Sequence, residues 1–120
     1  MKVLIHLDYQ SRLMKVMSIF GTRPEIIRLS RIFSKLETNF EHIMVNTNQN
    51  FTPELNQIFF SDLKIRKPDY NLKVNTSNYG KEIAEIIEKS EKIILKEKPD
   101  ILLILGDTNS GLAAIPASHH

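Results

Sequence analysis

The apolar run Lys15–Phe20 stops at Gly21, and Pro24 follows three residues after the glycine. A run this short, closed by glycine, reads as an interior strand rather than a helix. Pro24 suits the first turn of a helix, where its missing N–H costs nothing. Apolar residues then fall at Ile26, Leu29, Ile32, Phe33 and Leu36. Their offsets of three and four make one helical stripe. The chain therefore begins as strand, tight turn, helix.

The same grammar recurs downstream. His42–Thr47 reads as a second strand centred on Ile43, Met44 and Val45, followed by a polar loop to Asn50. Pro53–Phe60 reads as a short helix with Leu55, Ile58 and Phe59 on one side and Thr52 as its N-cap. The Phe59-Phe60 pair reads as core. Residues 62–78 look irregular, with a short strand near Tyr70–Val74. Tyr79–Lys96 is the longest periodic segment. It turns Ile83, Ile86, Ile87, Ser90 and Ile94 inward and Lys81, Glu82, Glu85, Glu88, Lys89 and Lys92 outward. Glu85–Lys89 and Glu88–Lys92 have the favoured i, i+4 order. Pro99 ends that helix. Ile101–Leu105 is apolar throughout, so it is expected to be a strand buried on both faces. Gly106 closes it, and Gly111–Ala117 opens another helix. Strands alternating with helices indicate an α/β fold: a Rossmann-like parallel sheet with flanking helices on both faces. Open parallel sheets usually carry more strands than this, so the fold reads as incomplete.

Composition removes several function classes. The chain is 42% hydrophobic and 25% charged, as ordinary globular domains are. No apolar run approaches the roughly 18 residues of a spanning helix. Sixteen basic against 14 acidic residues leave a net charge of +2, with no basic stripe. Neither nucleic acid nor a membrane is an expected partner. The absence of cysteine excludes disulfides, thiolate catalysis and zinc–cysteine sites, and is compatible with the cytoplasm, the expected compartment. His6, His42, His119 and His120 show no metal-ligand spacing. No metal or cofactor is expected. Met14-Lys15-Val16 repeats the Met1-Lys2-Val3 start directly ahead of a strand. Residues 1–13 are therefore expected to be an upstream extension, without a signal-peptide core, and residues 14–120 a partial N-terminal Rossmann-like domain.

In open α/β sheets, ligands bind at the carboxyl ends of the strands. Two of those ends carry glycine followed at once by polar residues: Gly21-Thr22-Arg23-Pro24-Glu25 and Gly106-Asp107-Thr108-Asn109-Ser110. The first opens a helix N-terminus, which favours an anion, and Arg23 adds a guanidinium suited to phosphate. Arg28, a turn further on, is expected to reinforce it. A purely structural turn, with Arg23 paired to a carboxylate, fits the same residues. Asp107 is either a helix N-cap or a strand-end carboxylate that exchanges a proton. The two roles are compatible.

Together these segments resemble the non-hydrolysing UDP-N-acetylglucosamine 2-epimerases. The strand with Gly21-Thr22-Arg23-Pro24-Glu25 is similar to their opening signature, and Lys98-Pro99-Asp100 through Gly106-Asp107-Thr108 to their second motif. Thr47-Asn48-Gln49-Asn50 resembles their Thr-Gly-Gln-His or Thr-Gly-Gln-Asn loop. Arg66-Lys67-Pro68-Asp69-Tyr70 and Gly106–Ser110 look most like the UDP-N-acetyl-L-fucosamine synthase-like subgroup of capsule and O-antigen synthesis. The resemblance spans about residues 14–120. It implies the N-terminal part of a GT-B type two-domain fold, and inversion at C2 of a UDP-N-acetyl-hexosamine by elimination and re-addition of UDP, without nicotinamide. It implies Asp107 as a catalytic acid/base and Gly21, Thr22, Arg23, Pro24, Glu25, Arg28, Gln49 and Thr108 at the substrate. It also implies a homodimer at full length, and an inactive chain when the second domain is missing. Asn48 stands where the family has glycine, and Arg28 where lysine is usual. Two other readings fit the same alternation: the N-terminal half of a GT-B glycosyltransferase, and a non-functional truncated gene product.

Overall fold

The computed structural model describes residues 13–47, 53–75, 77–105, 113 and 115–118. Among the described residues, strands β1 (Lys15–Phe20), β2 (Glu41–Asn46), β3 (Tyr70–Asn71) and β4 (Ile101–Leu103) alternate with helices, and residues 113 and 115–117 are also helical. The alternating helices are α1 (Arg23–Asn39), α2 (Pro53–Asp62) and α3 (Tyr79–Glu97). The sheet is parallel, in the order β3-β2-β1-β4. The Rossmann-like α/β expectation holds, and β1 falls where the sequence placed it.

Alternation along β1 and β2 sorts side chains onto two faces. Val16, Phe20 and Met44 meet Ile26, Leu29, Phe33 and Leu36 of α1 and Phe60 of α2. Met17, Ile19 and Val45 meet Ile86, Ile93 and Ile94 of α3, with Leu72, Val74, Ala113 and Ala117. Both faces of the sheet are thus covered, and β1 is fully interior apart from Lys15. Asn78 caps α3 by accepting from the Lys81 N–H at 2.8 Å. Lys98 ends that helix in the left-handed region (φ 49°), its N–H donating to the Ile94 carbonyl at 2.8 Å, and Pro99 prevents continuation.

Four details differ from the sequence reading. Ile32 is 43% exposed. It sits one position before Phe33, about 100° around the helix, and Ile26, Leu29, Phe33 and Leu36 already fill the inward arc. On α2, Ile58 faces out and Phe60 is the buried residue, packed edge-on to Phe20 with centroids 6.3 Å apart. Thr52 and the Leu55 side chain lie outside the described residues. On α3, Ile93 is buried while Ile87 is only partly so. Finally, β4 pairs only with β1 among the described residues, so Ile101 is exposed rather than buried on both faces. The outward Glu85–Lys89 and Glu88–Lys92 pairs form as expected, each at 3.6 Å.

The α1 register has a direct test. Leu29→Ala should cost about 2–5 kcal/mol in urea unfolding. Ile32→Ala should stay within about 0.5 kcal/mol of the unsubstituted chain. Equal losses would contradict this packing.

Candidate functional site

The strand order reverses at β1. The chain leaves β1 towards β2 and β3, and α3 returns it to β4 on the other side. A crevice at such a reversal is where open α/β sheets place ligands. Gly21 closes β1 there, buried, and Thr22 is the extended N-cap of α1 (φ −117°, ψ 157°). The turn is closed by Glu25. One carboxylate oxygen, Oε1, accepts from the Gly21 N–H at 3.1 Å, the Thr22 N–H at 3.1 Å and the Thr22 hydroxyl at 3.0 Å. The Thr22 Oγ1 accepts from the Glu25 N–H at 3.4 Å, completing a capping box. The Ile26 N–H donates to the Thr22 carbonyl at 3.2 Å, and Pro24 has no N–H to give.

These bonds narrow what the turn can offer an anion. The N–H groups of Gly21, Thr22, Glu25 and Ile26 are used inside the protein, and a carboxylate already occupies the positive end of the helix. Positive charge at this lip comes instead from the exposed Arg23 side chain, whose guanidinium carbon lies 5.6 Å from the centre of the Phe59 ring. That contact is worth about 0.5–1 kcal/mol at an exposed site. Arg28 is also exposed, but its five-residue spacing turns it about 140° around the helix from Arg23. The two cations flank the helix rather than stack. Gln49, Asp107 and Thr108 lie outside the described residues. Leu105, the last described residue before them, packs in the same cluster as Phe20.

The opposite end of the sheet carries a polar network that the sequence reading did not find. Ser18 Oγ lies 2.7 Å from His42 Nε2, and His42 Nδ1 lies 2.8 Å from Glu37 Oε1. The Arg66 guanidinium joins Glu37 at 2.9 Å, Asp69 at 3.1 Å and the His42 carbonyl at 2.7 Å. Asp69 in turn accepts from the Met44 N–H at 2.8 Å. The order serine, histidine, glutamate imitates a nucleophilic triad, but Ser18 is fully buried within the sheet and no substrate reaches it. Burial holds the His42 pKa below its ordinary value, against the opposing pull of Glu37. Burial also pushes on Glu37, but hydrogen bonds from Arg66 and His42 outweigh it and leave that carboxyl below its usual range. A neutral His42 donates from Nδ1 to Glu37 and accepts the Ser18 hydroxyl at Nε2. Polar Ser18 inside an apolar strand and His42 beside it on one face were the available signals.

Comparison with known proteins identifies the family. The family model for UDP-N-acetylglucosamine 2-epimerase matches residues 34–120. The chain belongs to the UDP-N-acetylglucosamine 2-epimerase family. A solved epimerase from Rickettsia bellii superposes with a TM-score of 0.79 at 51% identity, covering 88% of this chain and 28% of that one. The epimerase of Methanocaldococcus jannaschii, solved in complex with UDP-GlcNAc and UDP, gives a TM-score of 0.80 at 42% identity, covering 88% and 30%. A UDP-2,3-diacetamido-2,3-dideoxy-D-glucuronate 2-epimerase of Pseudomonas aeruginosa is 37% identical over 107 residues, 88% of this chain and 30% of that protein. The chain spans 28% of the length of the two curated Methanococcus maripaludis relatives it matches.

Among the described residues, this member of the epimerase family gathers no group of three or more metal-ligating side chains and has no helix long and apolar enough to cross a membrane. Its Arg66 and Asp69, part of the subgroup-like segment, form the exposed edge of the His42 network, away from the carboxyl ends of the strands. The His42 shift carries a pH dependence with a defined sign. The unfolded chain takes up the proton more readily than the fold, so stability is complete above the ordinary histidine pKa of about 6.5 and falls as pH drops below it. The depressed Glu37 carboxyl adds a further loss at still lower pH. Urea midpoints should therefore decline between about pH 7 and 5, and His42→Gln should flatten that decline. An unchanged slope in the variant would contradict a neutral, buried His42.

Proposed function

We propose that the natural protein carrying this chain inverts C2 of a UDP-N-acetyl-hexosamine, and that these residues form one wall of its site. The observation that carries this is the Gly21–Glu25 turn. It is built at the sheet's reversal point with Arg23 exposed at its lip, in a chain whose relative has been solved with UDP-GlcNAc and UDP. In this reading a carboxylate takes the C2 proton, the C2 electron pair forms a C1=C2 double bond, and the C1–O bond breaks to release UDP. Reprotonation on the opposite face and return of the UDP oxygen to C1 give the epimer. No net oxidation occurs.

Each residue has a physical role in that sequence. Asp107, at the end of the apolar run that follows α3, is the acid/base carboxylate, a task that needs a pKa tuned near the working pH. Arg23 meets the leaving diphosphate or sugar, because the backbone donors beside it are already committed. Arg28 supplies the second cation on the other side of α1. Gly21, Thr22 and Pro24 shape the floor, and Gln49 and Thr108 contribute polar contacts. A site split across a cleft needs both walls, so residues 1–120 alone should not turn over substrate.

The test is C2 proton exchange. The natural full-length gene product, incubated with UDP-N-acetylglucosamine in deuterated water, should incorporate deuterium at C2. Arg23→Ala should lower kcat/KM by about 10²-fold, the scale of losing one charge-stabilising donor. Retention of the C2 proton with sugar transferred to an acceptor would establish the glycosyltransferase reading instead. Turnover by the 120-residue chain alone would refute the divided site.

A further inference from the structure

We propose that Glu25 is a positioning residue: its buried carboxylate fixes the Gly21-Thr22 turn and so sets where Arg23 stands, without touching substrate. The proposal rests on the role given to Arg23 above. Glu25 is 1% exposed, and a carboxylate is costly to bury unless donors surround it. Three donors meet its Oε1. A capping box needs only the N-cap N–H from its glutamate. Here the same oxygen also takes the Gly21 N–H, one residue further back, at the end of β1. The carboxylate therefore joins the strand end to the helix start and fixes the angle between them.

Arg23 sits inside that clamp. Thr22 before it is held by its N–H and its hydroxyl, and Pro24 after it has a fixed φ. Glu25 closes the far side. The backbone of Arg23 is thus restrained on both flanks, and its guanidinium lies over Phe59. The Glu25 charge also balances the helix dipole from within, which leaves the anion to the Arg23 side chain. A displacement of about 1 Å at such a group costs on the order of 10²-fold in rate. Glu25 in the folded protein is thus expected to affect turnover through Arg23 alone.

The experiment is a double-mutant cycle in the natural full-length protein, read as kcat/KM for C2 exchange with UDP-N-acetylglucosamine, with thermal melts confirming the folded fraction. Glu25→Ala should lower kcat/KM by about ten-fold or more, and in an Arg23→Ala background by less than about two-fold. Glu25→Gln, which keeps an acceptor, should restore most of the loss. Should Glu25→Ala fail to fold, Thr22→Val takes its place, since it removes one donor to Glu25 and the acceptor for the Glu25 N–H. It should show the same dependence on Arg23. Losses that multiply with those of Arg23→Ala would overturn the proposal, because Glu25 would then act on substrate or on general stability. A normal rate for folded Glu25→Ala would overturn it also. A normal rate for Arg23→Ala would instead remove the role of Arg23, and with it anything for Glu25 to position.

Discussion

The Glu25 carboxylate is the interaction on which the described site depends. Its Oε1 holds two successive backbone N–H groups and a hydroxyl across the junction from β1 to α1. Without it, the N–H of buried Gly21 and the half-buried Thr22 lose their acceptor, at about 1–3 kcal/mol for each orphaned donor. The direction of α1 is set at that junction, and α1 supplies Ile26, Leu29, Phe33 and Leu36 to one face of the sheet. A single side chain thus joins the end of β1 to the start of the helix that covers that face.

The two ends of the sheet use charge differently. At the amino ends of the strands, polar groups knit neighbours together. Lys15 and Asp100 exchange backbone and carboxylate bonds at 2.8 Å, and the Lys15 ammonium reaches the Glu97 carbonyl at 2.9 Å. Tyr70 donates to the Glu97 side chain. The Ser18–His42–Glu37–Arg66–Asp69 chain closes the other side of β2. These contacts lie on the far side of the sheet from the ligand-binding strand ends. At the carboxyl end of β1 the charge is divided. Glu25 is turned inward and committed, while Arg23 and Arg28 are turned outward. The inward carboxylate and the outward cations thus sit at one end of the strands, and the polar cross-links at the other.

Much of this was legible in the sequence where a local rule governed. Gly21 and Pro24 marked the first turn, the spacing Ile26-Leu29-Phe33-Leu36 marked the inward face of α1, and i, i+4 spacing gave the surface ion pairs of α3. Misses came where distant partners decide. Ile32 and Ile58 look apolar enough to be core, but Phe33 and Phe60 reach the same faces first. Ile101 is apolar and yet exposed, because β4 has a partner on one side only among the described residues. The His42 network joins residues up to 51 positions apart, Ser18 to Asp69, and no window along the chain shows that. The first turn was half legible: Gly21 and Pro24 mark a helix N-terminus, but no local rule shows that Glu25 fills it.

The most direct test is a crystal structure of the natural protein with a UDP-N-acetyl-hexosamine bound. Arg23 should contact the diphosphate or sugar, and the Glu25 carboxylate should stay on the Gly21 and Thr22 donors with no ligand atom in hydrogen-bond reach. A ligand bonded to Glu25, or an Arg23 turned away from it, would contradict the account.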